Sequence, residues 1–138
     1  RINSFERLMQ SAAFAASSPA AEAVAAKWCA AGREFVAVAG WDVVARLAMN
    51  STLPDAKFAD LLKTIERAIH GAQNHVRYAM NGALIAIGVR NPKLEKLAVA
   101  AAKRIGKVEV DHGDTSCQTP DAVAYIAKTK AHRARRGK

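Results

Sequence analysis

Residues 35–48 read FVAVAGWDVVARLA and align without gaps onto residues 75–88, which read HVRYAMNGALIAIG. The apolar residues shared by the two segments recur at three- and four-residue spacing, so each segment predicts a helix with one buried face. The matched pairs are Val36/Val76, Ala39/Ala79, Val43/Ala83, Val44/Leu84 and Leu47/Ile87. The alignment predicts that the two segments are equivalent helices in successive copies of one unit.

The two copies are offset by 40 residues, at the short end of the period of about 40–47 residues that is typical of HEAT and armadillo units, each built on a helix pair. Any two amphipathic helices can give a similar match, and that is the alternative explanation. The repeat predicts an all-α fold, a HEAT-like α-solenoid of antiparallel helix pairs in which each second helix packs against its neighbours.

Helical periodicity and the positions of Pro and Gly divide the chain into seven predicted helices. They cover residues 4–16, 20–31, 34–49, 54–71, 74–89, 91–106 and 120–129, and residues 107–118 form a polar loop without helical period. We therefore predict one helical-repeat domain at residues 1–129 and a basic, disordered tail at residues 130–138.

The net charge of +9 is unevenly distributed, because residues 128–138 contain six Lys or Arg and no acidic residue. Such a tail is either a solvated end or an electrostatic arm for phosphate groups. The second interpretation makes DNA-binding candidates of the basic residues Lys130, Arg133, Arg135 and Arg136.

Composition excludes several other classes of protein. The two cysteines, Cys29 and Cys117, lie far apart and suggest neither a disulfide framework nor a zinc site, so a reducing cytoplasm is expected. The strongly apolar stretch at residues 82–89 is much shorter than the ~20 residues that a membrane span needs. No membrane association and no cofactor are predicted.

Three segments, Glu34–Trp41, Ile69–Asn81 and Ile105–Cys117, together resemble bacterial sequences of the AlkD-like family of DNA alkylation repair proteins. The resemblance covers roughly residues 19–129. It implies that the chain corresponds to the C-terminal part of a longer HEAT-like solenoid. It also implies a concave, basic groove that holds duplex DNA by its backbone.

The family's glycosylases excise N3- or N7-alkylpurines, and the resemblance implies that this activity depends on a Trp and Asp pair, an Arg and a second Trp. A carboxylate and aromatic rings of this kind stabilise the cationic sugar. The first predicted helix contains neither Trp nor Asp, the Arg position falls on Val38, and the second Trp position falls on Gly82. No catalytic residue can be transferred to this sequence, and glycosylase activity is left open.

Two groups of helical residues are candidates for contacts with DNA. Trp41 aligns with Asn81 in the repeat, and an exposed Trp beside Arg77 and Asn81 would form a stacking or phosphate-binding platform. Alternatively, Trp41 packs between helices while Asp42 pairs with Arg46 four residues later. The stripe that Arg77 and Asn81 form with Asn74 faces either a ligand or the polar loop after the sixth helix.

That loop concentrates Asp111, His112, Asp114 and Cys117 within seven residues. A metal site would use the first three residues, and a nucleophile would use the thiol at the start of the last helix. The rest of the sequence supplies neither further ligands nor a base for the thiol. We therefore predict a structural loop without a bound metal.

The sequence thus predicts a duplex-DNA-binding protein connected with alkylated-base repair. The alternative is a non-catalytic scaffold that binds a protein partner, because solenoids use the same concave surface for proteins.

Overall fold

The computed structural model describes residues 4–137, and this part of the chain folds into seven α-helices and one 3₁₀ turn, without a β-strand. The helices are α1 (Ser4–Ala16), α2 (Ala21–Cys29), α3 (Glu34–Asn50), α4 (Asp55–Ala68), α5 (Asn74–Gly88), α6 (Pro92–Ile105) and α7 (Ala122–Arg136), with the 3₁₀ turn at Ile69–Gly71. None of the helices within these residues combines the length and apolar character that a membrane crossing requires.

The helices form two layers. One layer contains α1, α3, α5 and α7, in which α3 packs between α1 and α5, and α5 packs against α7. The other layer contains α2, α4 and α6, which contact α3, α5 and α7 as the first members of their helix pairs. This arrangement confirms the predicted all-α, HEAT-like solenoid.

The helices α3, α5 and α7 run parallel. At their beginnings, Glu34 of α3 accepts a hydrogen bond from the backbone N–H of His75 in α5. At their ends, Arg90, two residues after the last residue of α5, donates to the carbonyl of Ala48. Between α5 and α7, the side chain of Asn81 donates to the carbonyl of Pro120, which lies just before α7. Arg133 of α7 donates to the carbonyl of Val89. The repeated segments therefore lie side by side in register, both as second helices of their pairs.

The core lies between the layers and includes most of the apolar residues that the repeat alignment matched. Val43, Ala83 and Ile87 have no exposed surface, and Val44 and Leu84 are buried as well. Gly40 lets α3 approach α2 closely, because a Cβ at this position would lie 2.5 Å from the backbone nitrogen of Cys29. A residue with a side chain cannot occupy that position without moving the α2 backbone.

The last helix extends past its predicted end near Thr129 and continues to Arg136. The expected disordered tail is therefore helical up to that residue, whereas Lys138 lies outside the described residues. Ala, Lys and Arg are good helix formers, and two contacts hold the segment to the body. Lys130 forms an ion pair with Glu95 of α6, and Arg133 donates to the carbonyl of Val89.

Candidate nucleic-acid interface

The layer of α1, α3, α5 and α7 has one side that points away from α2, α4 and α6, which we call the outer face. On α5, the residues on this side are His75, Tyr78 and Gly82, all exposed and spaced at three and four residues. On α3, the equivalent positions by the repeat alignment are Phe35, Val38 and Asp42. A binding partner of the second-helix layer would contact these two stripes.

The helix α7 adds a basic stripe to the outer face. Tyr125, Lys128, His132 and Arg136 are exposed and recur at three- and four-residue spacing, so they form one stripe along a flank of α7 that excludes the buried Ile126. Arg135 flanks them and is exposed as well. Within residues 4–137, the side chains of Arg135 and Arg136 make no hydrogen bond or ion pair, so both guanidinium groups are available to a phosphate.

Two of the predicted DNA-binding residues in α7 have structural partners instead. Lys130 lies 3.0 Å from a carboxylate oxygen of Glu95. Arg133 donates a 2.7 Å hydrogen bond to the carbonyl of Val89 at the C-terminal end of α5, where a cation also opposes the negative end of the helix dipole. The DNA-binding role of all four residues stays a prediction, and these contacts favour Arg135 and Arg136 over Lys130 and Arg133 for it.

Trp41 does not form a platform on the surface. Its side chain is only 2 % exposed and belongs to the core. The neighbouring Asp42 binds Arg46 at 2.7 Å, one helical turn later, as the packing alternative predicted. The stacking prediction for Trp41 was wrong because residue 41 lies beside Gly40 on the buried side of α3, where an apolar ring gains most from burial.

The polar stripe of α5 holds the loop between α6 and α7. Arg77 donates to the carbonyls of Ala72 and Glu109, each at 2.9 Å. The amide of Asn74 binds both backbone groups of Asp111, at 2.7 Å in each direction. Asn81 is 3 % exposed and donates to the carbonyl of Pro120. These contacts favour loop attachment, which was the alternative, over the DNA-binding role predicted for Arg77 and Asn81.

The loop itself is attached at both ends and exposed at its tip. His112 contacts Tyr78 edge-on, with ring centroids 5.4 Å apart, and its Nε2 lies 2.9 Å from the hydroxyl of Thr119. Residues 113–118, including Asp114 and Cys117, are exposed. Among residues 4–137, no cluster of three or more His, Cys, Asp or Glu side chains has the arrangement of a metal site.

The positions that correspond to the glycosylases' Arg and second Trp also lie on the outer face. Val38 is almost buried, and a Cβ built at Gly82 would have no atom within 4 Å. The outer face therefore has open space at Gly82, with neither the ring nor the cation that base excision uses. Asp42, which aligns with Gly82 in the repeat, is held by Arg46.

The exposed aromatic residues of the outer face were not among the predicted DNA-binding residues. Phe35, Tyr78 and Tyr125 are each about half exposed. The signal was present in their helical spacing relative to the buried residues, because His75, Tyr78 and Gly82 occupy one side of the periodic pattern. The Phe35 ring lies against His75, with ring centroids 5.2 Å apart.

Comparison with known proteins places these observations in context. Residues 5–126 match the family described as DNA alkylation repair enzymes. The chain is 36% identical over 106 residues to the uncharacterized protein Lin0241 of Listeria innocua, and 34% identical over 103 residues to the uncharacterized protein Lmo0209 of Listeria monocytogenes. These alignments cover 77% and 75% of this chain, but only 46% and 44% of the two relatives.

A solved structure with a similar fold superposes with a TM-score of 0.80 at 28% sequence identity. It belongs to a new family of proteins related to the HEAT-like repeat DNA glycosylases, with affinity for branched DNA structures. The superposition covers 95% of this chain and 61% of that one. The chain thus spans less than half the length of the two Listeria relatives and about three fifths of the structural neighbour.

Proposed function

The chain belongs to the DNA alkylation repair enzyme family, and we propose on this basis that it binds DNA through the outer face, with α7 supplying contacts to phosphate. The observation that carries the proposal is the stripe of Lys128, His132 and Arg136 beside Arg135, because these side chains are exposed on the helix that packs against α5. Free cationic side chains on a helix are the usual partners of DNA phosphates.

The distribution of charge also supports the part of the chain that contains α7 as the DNA-binding region. Residues 86–138 contain 12 Lys or Arg and 5 Asp or Glu, so this segment carries seven of the nine net positive charges. A field of this sign attracts DNA and speeds its association.

With DNA as the partner, we place the protein in the cytoplasm, a reducing compartment that suits the free thiols Cys29 and Cys117.

Binding, rather than excision of alkylated bases, is the function that this chain's own residues support. The outer face lacks the aromatic ring at Gly82 and the cation at Val38 that the glycosylases use. The structural neighbour's affinity for branched DNA makes a non-catalytic, structure-selective role the best extension of the proposal. The alternative of a scaffold for a protein partner uses the same face but no phosphate.

A salt titration tests the proposal, with Lys128 and Lys130 as a matched pair on opposite sides of α7. Fluorescence anisotropy with a labelled duplex should give an affinity that falls steeply with salt, with a slope of about −0.9 for each phosphate contact. The double substitution Lys128→Gln and Arg136→Gln should make the slope shallower by about 2. Lys130→Gln, which removes the same charge from the side facing Glu95, should leave the slope unchanged.

Two results would reject the proposal. The first is the absence of salt-dependent binding to any DNA, which would favour the protein scaffold. The second is an equal reduction of the slope by Lys128→Gln and Lys130→Gln, because a diffuse charge effect would then replace a defined surface.

A further inference from the structure

Two of the exposed aromatic rings of the outer face are each backed by a histidine. Phe35 of α3 is 53 % exposed and packs at a tilt against His75 of α5. Tyr78, one turn after His75, is 45 % exposed and meets the edge of His112. Large rings are usually turned inward unless a partner covers them, so both rings are candidates for contact with a ligand.

Each histidine is fixed by a polar partner. Nδ1 of His75 lies 3.2 Å from the carboxylate of Glu34, and Nε2 of His112 lies 2.9 Å from the hydroxyl of Thr119. The imidazoles therefore act as supports that hold the phenyl and phenol rings in place. Rings held in this way lose little conformational freedom when a planar group binds.

Open space lies next to the Tyr78 ring. Gly82 follows Tyr78 by one helical turn, and a Cβ at Gly82 would meet no atom within 4 Å. Along the same face, the basic stripe of α7 provides the charge that a phosphate backbone needs. Flat rings combined with cations are the composition of surfaces that bind single-stranded nucleic acid by stacking its bases.

We propose that Tyr78 and Phe35 stack unpaired bases at a DNA branch while the α7 stripe holds the adjoining phosphates. This inference rests on the DNA-binding function proposed above and names the part of the DNA that is recognised. In a fully paired duplex only the edges of the bases are accessible to these rings. In an unpaired arm the flat faces of the bases are accessible as well. The surface thus discriminates branched from continuous DNA without reading a sequence.

The test compares two forked DNAs that have identical duplex stems and arms of equal length and charge. One fork has thymine bases in its single-stranded arms, and the other has abasic sites at the same positions. The wild-type protein should bind the thymine fork more tightly, by about 5- to 150-fold for each stacked base. Binding is measured by anisotropy over the same series of salt concentrations for both forks, after circular dichroism has verified the fold of every variant.

Four variants assign the difference between the forks to the rings. Tyr78→Ala and Phe35→Ala should each reduce the preference for the thymine fork, while affinity for the abasic fork stays the same. Tyr78→Phe should retain the preference, because the ring remains. Leu97→Ala, which shortens an exposed apolar side chain of α6 in the other layer, should retain it as well.

The possible outcomes separate this inference from the proposed function. Salt-dependent but equal binding of both forks by the wild type would overturn the stacking proposal and leave DNA binding intact. A preference that survives in both Tyr78→Ala and Phe35→Ala would also overturn it. Failure of the wild type to bind either fork in a salt-dependent way would reject the DNA-binding function itself, and the stacking proposal with it.

Discussion

The guanidinium carbon of Arg90 lies 4.6 Å from the centre of the Phe58 ring. From this position the guanidinium group donates to the carbonyls at the end of α3 and in the following turn, namely those of Leu47, Ala48, Ser51 and Leu53. The final carbonyls of a helix have no partner within the helix. One side chain from the next repeat thus satisfies the end of α3 and contacts the buried ring of α4.

Arg90→Ala should therefore destabilise the fold strongly. The substitution leaves several partly buried carbonyls without a donor and removes the cation over Phe58, so we expect a loss of about 3 kcal/mol in the free energy of unfolding. Urea denaturation measures it. Arg46→Ala is the control, because its ion pair with Asp42 joins neighbouring turns of one helix and should contribute only about 0.3–0.5 kcal/mol. Equal losses in the two variants would contradict the role of Arg90.

Alanine substitutions at two helical glycines should change stability in opposite directions. At Gly40, the new Cβ would lie 2.5 Å from the backbone nitrogen of Cys29, so Gly40→Ala should destabilise by about 3 kcal/mol or more. At Gly82, nothing lies within 4 Å, so Gly82→Ala should stabilise by about 0.5–1 kcal/mol through helix propensity. Thermal unfolding followed by circular dichroism would show a lower midpoint for the first variant and a higher one for the second.

Removing the Asn74 side chain should release the loop without unfolding the protein. Asn74→Ala deletes both hydrogen bonds to the backbone of Asp111, so amide hydrogen exchange should accelerate within residues 107–118 while α3 and α5 keep their protection. Gln73→Ala, at the exposed neighbouring position, is the control and should leave the loop protected. Faster exchange throughout the molecule in Asn74→Ala would show that the loop is part of the core instead.

The loop should bind no metal tightly. Its Asp111 is turned toward Asn74 and Gly113 by backbone and side-chain hydrogen bonds, and His112 is engaged by Thr119. We expect elemental analysis after dialysis to find no stoichiometric zinc or other transition metal. Metal that is retained by the wild type and lost in Asp111→Ala would disprove this prediction.

Acid should weaken the link between α3 and α5. The pKa of Glu34 is held below its usual value of 4.5, mainly by the hydrogen bond from the backbone N–H of His75 and to a smaller extent by the side chain of His75. A lowered pKa in the folded state contributes stability above the unfolded-state pKa, and this contribution is lost as the pH falls through the folded-state pKa. The wild type should therefore unfold at higher urea than Glu34→Gln near about pH 7, and the difference should shrink below about pH 4. A difference independent of pH would exclude the carboxylate as its source.

The helical repeat could be predicted because the core depends on periodic apolar residues. Val43 and Ala83, or Leu47 and Ile87, match at an offset of 40 residues and occupy equivalent buried positions in parallel helices. The end of α7 could not be predicted in the same way. Its last turns follow little apolar periodicity and are held by Lys130 and Arg133, whose partners lie 35 and 44 residues away in the sequence.

The candidate site was predicted less well, because the same polar residue can face a ligand or a neighbouring segment. Arg77 and Asn81 have the chemistry of DNA contacts, yet both bind carbonyls more than 30 residues away. Trp41 and Tyr78 show the converse case. The sequence identifies each as an aromatic residue on an amphipathic helix, but only the packing of the folded chain decides which ring is buried and which one a ligand can reach.

The different surroundings of the two thiols make the chain suitable for labelling at a single position. Burial raises the pKa of Cys29 to about 12, which leaves that thiol protonated and unreactive at neutral pH. Cys117 is exposed at the tip of the loop. A maleimide dye would therefore attach to Cys117 in the unmodified sequence, on the loop whose His112 touches Tyr78. Fluorescence from this dye would report DNA arriving at the outer face without an engineered cysteine.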